Sequence, residues 1–141
     1  MSDTVKIEEF TDKLKEALLD VKEDVDEIVI AEVDAVIKKA KADLVIKSPR
    51  TSGKPSRGKQ RHYADSWRLS QAIKNKNVYS RKVEQSTENR PITHLLELGH
   101  ISRDGVTWTN GIPHIIPIQK KWRNQFNKNI KRKLKWWLIM I

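Results

Sequence analysis

The chain contains no cysteine. Disulfides, zinc–thiolate sites and thiol-based catalysis are therefore excluded, and synthesis in a reducing compartment fits. It also lacks an apolar run of membrane-spanning length. The longest, the closing "WWLIMI", falls far short of the roughly 20 residues that a bilayer-spanning helix needs. The opening "MSDTVKIEEF" is acidic and has no apolar core segment, so it is not expected to act as a signal peptide. Acidic residues are scarce in the larger part of the chain: residues 47–141 hold 5 of them against 21 Lys and Arg. Residues 1–46 show the opposite bias, with 13 acidic and 7 basic. A basic body with an acidic arm suits contact with polyanions, with acidic patches on partner proteins, or with its own copies.

The 141 residues allow one domain with a modest core, in four parts: residues 1–46, 47–62, 63–117 and 118–141. From about Thr4 to Asp43, apolar residues recur at steps of three and four (Phe10, Leu14, Leu18, Val21, Val25, Ile28, then Val29, Val33, Val36, Ala40), and neither Gly nor Pro intervenes. This spacing predicts one long helix. At 1.5 Å per residue it would run about 60 Å, beyond the width of so small a domain, so it should bend, break or project onto something else. Lys38, Lys39 and Lys41 suit its C-terminal dipole.

"SPRTSGKPSRGKQRHY" follows, with two prolines, two glycines, five Lys or Arg and no aliphatic residue. It reads as a flexible basic loop. Its Arg50, Lys54, Arg57, Lys59 and Arg61 are candidate contacts to DNA or a partner, although the loop lacks P-loop spacing and has no preceding strand. Trp67, Leu69 and Ile73 alternate with polar residues, and Val78 and Val83 lie beyond "KNKN", which predicts a β-hairpin turning near Asn75 to Asn77. "GVTWTN" is a further candidate strand. "IIPI" (Ile115 to Ile118) reads as a short edge segment, because Pro117 cannot donate to a ladder. From about Ile118, Trp122, Phe126, Ile130 and Leu134 recur at steps of four and predict a basic C-terminal helix. The expected class is α+β: a long N-terminal helix on a small antiparallel sheet of about three to four strands, closed by a C-terminal helix.

The stretch "PITHLLELGHISRDG" groups His94, Glu97 and His100, and His114 follows in "GIPHIIPI". On a helix the first three point about 0°, 300° and 240° around the axis. On a strand the two histidines share a face that Glu97 leaves. Neither geometry gathers a metal site, and the H-E-x-x-H spacing of zinc proteases is absent. Pro91 suits a first helical turn and Gly99 the position just past an end, so this stretch is expected to be a short capped helix buried through its leucines. Ser102 and Asp104 lie near it, and nothing marks them as activated.

Three blocks resemble the tail-completion, or head–tail joining, proteins of tailed bacteriophages. A long helix runs into "SPRTSG", like that family's Ser-Pro-x-x-(x)-Gly. "YADSW" is similar to its Tyr-x-x-Ser-Trp. "THLLELGH", then glycines, then "GIPHIIPI" are similar to its Thr-His-Leu-Leu-Glu-x-Gly-His … Pro-His-Ile-x-Pro. The insert between Gly53 and Tyr63 is longer and more basic than the plain pattern. The resemblance implies a structural role without catalytic residues or cofactors: a ring of copies, expected to be sixfold, at the head–tail junction of the virion, assembled in the host cytoplasm. Its partners would be other copies, connector and tail proteins, and the DNA passing through, without sequence preference and with no membrane. It also implies that Ser66, Trp67, Thr93, His94, Leu95, Glu97, Gly99, His100, Pro113, His114 and Pro117 are core or subunit-interface positions.

Two other readings start from the residues alone. The loop "RTSGKPSRGKQR" and the helix "KKWRNQFNKNIKRKLK" interleave aromatics with cations, as nucleic-acid-binding proteins do. The C-terminal stretch also has the elements of a cationic amphipathic helix for membranes, but its apolar stripe is narrow. A tail-terminator role shares the size, charge and helix-plus-sheet character of tail completion.

Overall fold

The computed structural model describes residues 7–50, 53–55 and 58–140. Helix α1 spans Ile7–Lys47. The expected start at Thr4 lies outside the described residues, and the predicted end is extended by four residues. The helix stops where Ser48 donates its amide to the Leu44 carbonyl at 2.9 Å and Pro49 follows, since a residue before proline is pushed out of helical geometry. Helix α3 spans Ile115–Met140 and runs antiparallel to α1: Asp43 accepts from Lys121 and Trp122, while Glu32, nearer the N-terminus, accepts from Asn129 and Lys133. The three-and-four stripe of α1 is what packs there, and burial along it begins only at Val25.

The expected hairpin forms, with a kink. Strand β1 (Trp67–Leu69) pairs antiparallel with β4 (Val83–Gln85), and β2 (Ile73–Asn75) pairs with β3 (Val78–Ser80) across a two-residue turn. Between the two ladders residues 70–72 face only Arg81 and Lys82. This one-residue excess bends the ribbon, as a bulge does. Ser70 holds the bend by accepting the Lys82 amide on its hydroxyl at 2.9 Å and donating its own amide to the Lys82 carbonyl at 2.8 Å. The bend lets the far ladder lie along α1, where Tyr79 and Arg81 both donate to Asp34 at 2.6 and 3.1 Å.

A 3-10 turn, Arg90–Ile92, leads into the short helix α2, Thr93–Leu98. Gly99 caps α2 with φ +92°, as expected, but Pro91 lies in the turn before the helix and not in its first turn, and the buried residue of α2 is Glu97, while Leu98, expected on the buried face, is exposed. Gly99 also opens a strand that the sequence reading did not assign: β5 (Gly99–Ile101) pairs with β6 (Trp108–Asn110). The strands therefore pair two by two in three ladders and do not form one sheet of three or four. The "IIPI" segment is corrected as well. Ile115 to Ile118 are the first turn of α3, because a proline in that turn removes an amide that has no intrahelical partner anyway.

The apolar core is small. Leu44, Tyr63, Trp67 and Ile118 form it, with Ala40, Val83, Ile92, Leu96, Ile115 and Trp122 packed around. Among the described residues, buried polar side chains (Glu32, Ser48, Ser66, Gln85, Asn89, Glu97, His114) outnumber buried apolar ones (Leu44, Tyr63, Ala64, Trp67, Ile118). Hydrogen bonding thus decides much of the packing here, since each buried polar group costs stability unless it is paired. Glu32 is a case in point: it sits inside the apolar stripe of α1 and accepts from Asn129 Nδ2 at 2.6 Å and Lys133 Nζ at 2.5 Å. Burial alone would raise its pKa, yet these donors and the lysine charge hold it below the usual 4.5. Glu32→Ala should lower unfolding stability by about 2 kcal/mol, the cost of stranding a part-buried Asn129 amide tempered by a half-exposed lysine. The check is the urea midpoint, which should fall with an unchanged denaturant slope.

Candidate functional site at the Glu97–His114 junction

The chain leaves α2 at Leu98, makes the β5–β6 excursion and returns at Gly111. A tight approach makes that return possible: a Cβ at Gly111 would lie 2.5 Å from the Glu97 carbonyl oxygen and 2.6 Å from the Gly99 nitrogen. The Ile112 amide then donates to the Leu96 carbonyl at 2.7 Å. Pro113 follows, and His114 arrives directly over Glu97.

The Glu97 carboxylate accepts the backbone amides of His114 (2.8 Å), Ile115 (3.0 Å) and Ile116 (2.9 Å). These are amides at the start of α3 that no helical carbonyl can reach. The next residue, Pro117, has no amide at all. Every backbone donor at this helix start is therefore satisfied or missing, and a negative charge sits where the helix dipole favours one. Burial by itself would raise the Glu97 pKa, but the three amides, helped by His114, outweigh it and keep the group below 4.5.

His114 is 1 % exposed. Its Nδ1 lies 2.6 Å from the Ile112 carbonyl and 3.0 Å from Glu97 Oε2. Both are acceptors, so Nδ1 carries a hydrogen. In the neutral ring Nε2 is then the acceptor, and the Tyr63 hydroxyl, 2.9 Å away, donates to it. Burial, with the Glu97 charge adding to it, pushes Tyr63 up to about 12, which keeps that donor protonated. Tyr63, Trp67 and His114 meet edge-on, with ring centroids 5.5 to 6.3 Å apart. Trp67 Nε1 donates to Ser48 Oγ at 2.7 Å, which carries the network to the end of α1. Ser66 Oγ donates to the His62 carbonyl and accepts from Asn89 Nδ2, both at 2.8 Å. Gln85 Nε2 donates to the Tyr63 carbonyl at 2.8 Å.

The junction brings together Ser66, Trp67, Glu97 and His114 of the expected positions, with Gly99 and Pro117 shaping its edges. Thr93 donates to the Asn89 carbonyl at 3.4 Å, Leu95 is half-buried, and His94, Pro113 and Pro117 are exposed. His100 lies on β5, paired with Thr109, and its buried Nδ1 meets no partner. Among the described residues no group of three or more His, Cys, Asp or Glu side chains could hold a metal ion, and His94 and His100 do not join Glu97. Glu97 and His114 have the composition of an acid–base pair, but internal hydrogen bonds occupy their lone pairs and ring nitrogens. The arrangement joins α1, α2 and α3.

Ser48, Tyr63, Gln85 and Asn89 belong to the site beyond the positions expected from sequence. Ser48 and Tyr63 lie within the "SPRTSG" and "YADSW" motifs, which is a signal for them. Gln85 and Asn89 carry no signal, because a buried amide looks like a surface one until its partners are known. Of the basic-loop residues, Arg50 is committed to Asp65 through two bonds of 2.7 and 2.6 Å, and the Arg50 bond holds the Asp65 carboxyl below its usual range. Lys59 donates to the Glu88 carbonyl. Lys54 and Arg61 are exposed, and Arg57 lies outside the described residues. The loop read as flexible is thus tied down at Arg50, at Lys59 and at His62, whose ring bonds the Gly53 carbonyl at 2.8 Å.

Comparison with protein-family models, with curated proteins and with solved structures found no match to this chain.

Glu97→Gln should cost about 3 kcal/mol, because charge-assisted bonds to buried amides are replaced by one neutral acceptor and an NH2 that faces donors. The folded carboxyl binds its proton less tightly than the unfolded one. Its stabilisation is therefore complete above the unfolded value near 4.5 and is lost as pH falls through the lower folded value. Thermal melts between pH 7 and 3 should show a shallower acid loss in the Gln variant than in the parent. Gly111→Ala should destabilise by a similar amount and also make the acid loss shallower, because a Cβ 2.5 Å from the Glu97 carbonyl oxygen forces the junction open and takes the amides away from the carboxylate.

Proposed function

We propose that the chain is a structural subunit of the neck of a tailed-bacteriophage particle, completing the tail and joining it to the head connector as a ring of copies around the DNA channel. One observation carries this reading. Five of the residues through which the sequence resembles that family (Ser48, Tyr63, Trp67, Glu97 and His114) come from four separate stretches, yet they meet in one buried junction. Motif residues that converge on packing support a shared architecture, where an enzyme family would be expected to converge on an open cleft.

The surface supports the same reading. A ring subunit needs two different patches that fit each other. The chain presents an acidic, partly apolar helix end and a basic face on α3, where Lys120, Arg123, Lys128, Lys131, Arg132 and Lys135 are all exposed. α3 contains no Asp or Glu. Such a face also suits contact with the DNA phosphate backbone without sequence preference.

Electron microscopy of assembled particles carrying a tagged copy tests the assignment. Label at the head–tail junction is the expected result, and label elsewhere or none contradicts it. The α3 face also favours a second reading, a dedicated nucleic-acid binder. Titration of duplex DNA across salt concentrations separates the two: the neck reading expects weak, unsaturating binding, whereas a dedicated binder would saturate and lose affinity with a steep log–log salt slope.

A further inference from the structure

Two surfaces of α1 stay uncovered among the described residues. The first is its N-terminal overhang. Phe10, Leu14, Leu18 and Val21 continue the stripe that packs on α3 further along, yet they are 60, 49, 60 and 41 % exposed. The overhang from residue 7 to 21 is about 22 Å long at 1.5 Å per residue. It carries five carboxylates against two lysines. So long an unpartnered apolar stripe is unusual on a solvated helix, whose apolar face is normally the one that packs.

The second surface is an open groove of about 500 Å³ between α1, β4 and α3. Val36, Ile37, Val83, Ile115 and Phe126 give it an apolar lining, and Arg81, Lys82 and Arg123 add cations. Arg81 is already paired with Asp34. Lys82 touches Glu84 only at 3.7 Å, and Arg123 is exposed with no ion pair among the described residues. The groove has room for a few apolar side chains presented by a helix, the helix-in-groove mode of recognition.

Overhang and groove match in character: apolar stripe with acidic flanks, apolar trough with cationic edges. They cannot meet within one molecule. The nearest groove residue on α1, Val33, lies twelve positions beyond Val21, about 18 Å along the same unbroken helix. We infer that the overhanging turns of α1 in one copy dock into the α1–β4–α3 groove of the next copy, Phe10, Leu14 and Leu18 entering the trough while carboxylates of the overhang face Lys82 and Arg123. The contact is heterologous, so it propagates from copy to copy and closes if the rotation per step allows. It gives the ring proposed above its contact and rests on that reading for its biological setting.

The test uses two full-length double variants altered only at exposed positions. Leu14→Asp with Leu18→Asp removes the stripe and keeps the groove. Lys82→Glu with Arg123→Glu reverses the groove edge and keeps the stripe. Light scattering on size-fractionated protein should find each variant monomeric alone and a one-to-one dimer on mixing, because the mixture retains one good stripe and one good groove. Assembly of either variant by itself, or a mixture that stays monomeric, overturns the docking. Because the chain has no cysteine, Leu18→Cys with Arg123→Cys in one chain gives a second readout. Mild oxidation should produce a covalent ladder of dimers, trimers and larger species, and Leu18→Cys alone should not. Dimers from Leu18→Cys alone would mean stripe-on-stripe pairing and overturn the inference. The same oxidation in assembled particles separates the two claims: particles that hold the chain at the neck and give no ladder overturn the docking alone, leaving the neck assignment in place.

Discussion

A helix start has amides that no helical carbonyl can reach, and at the start of α3 those of His114, Ile115 and Ile116 are buried or part-buried. Glu97 answers three of them from α2, and Pro117 removes the fourth. Much else follows from this constraint. Glu97 must stay ionised, so α2 must hold it with its carboxylate aimed at the helix start. The β5–β6 hairpin must return to within contact of the Glu97 backbone, so residue 111 must be glycine. His114 must sit with Nδ1 between two acceptors, and this turns Nε2 toward Tyr63. Tyr63 and Trp67 then close the junction against Ser48 at the end of α1. One carboxylate thus sets where the two long helices converge.

The same logic runs along the α1–α3 contact in weaker form. Glu32 and Asp43 each accept two donors from α3. Paired charges near a seam add less than apolar packing would, but they penalise every sliding of the helices that leaves a carboxylate unanswered. A fold with so few fully buried apolar residues gains specificity this way. It also leaves much apolar surface outside: the α1 overhang, Val106 and Trp108 on the second hairpin, and Trp136, Leu138, Ile139 and Met140 at the end of α3.

Periodicity made the two long helices legible, and turn chemistry made the first hairpin and α2 legible. The contacts that link these elements were not local and could not be read in the same way. Ile115 to Ile118 fits a short edge strand as well as a first helical turn, and what decides is a carboxylate seventeen to nineteen residues upstream. Strand β5 was hidden because Gly99 both ends a helix and opens a ladder. The kink at Ser70 needed the register of both strands. Glu32 did leave a trace, a charge in phase with Val25, Ile28 and Val36. The His and Glu of the central motif were visible as a group, but their roles depend on burial: Glu97 and His114 are the pair, while His94 faces solvent.

The central claim is that the Glu97–His114 junction is a structural joint closed by backbone amides. Amide hydrogen exchange at His114, Ile115 and Ile116 tests it most directly, because the opening amides of a helix exchange readily when only water answers them. The account predicts protection close to that of the α3 interior near Trp122, released only when the whole chain unfolds. Fast exchange at these three amides while the interior of α3 stays protected would contradict it.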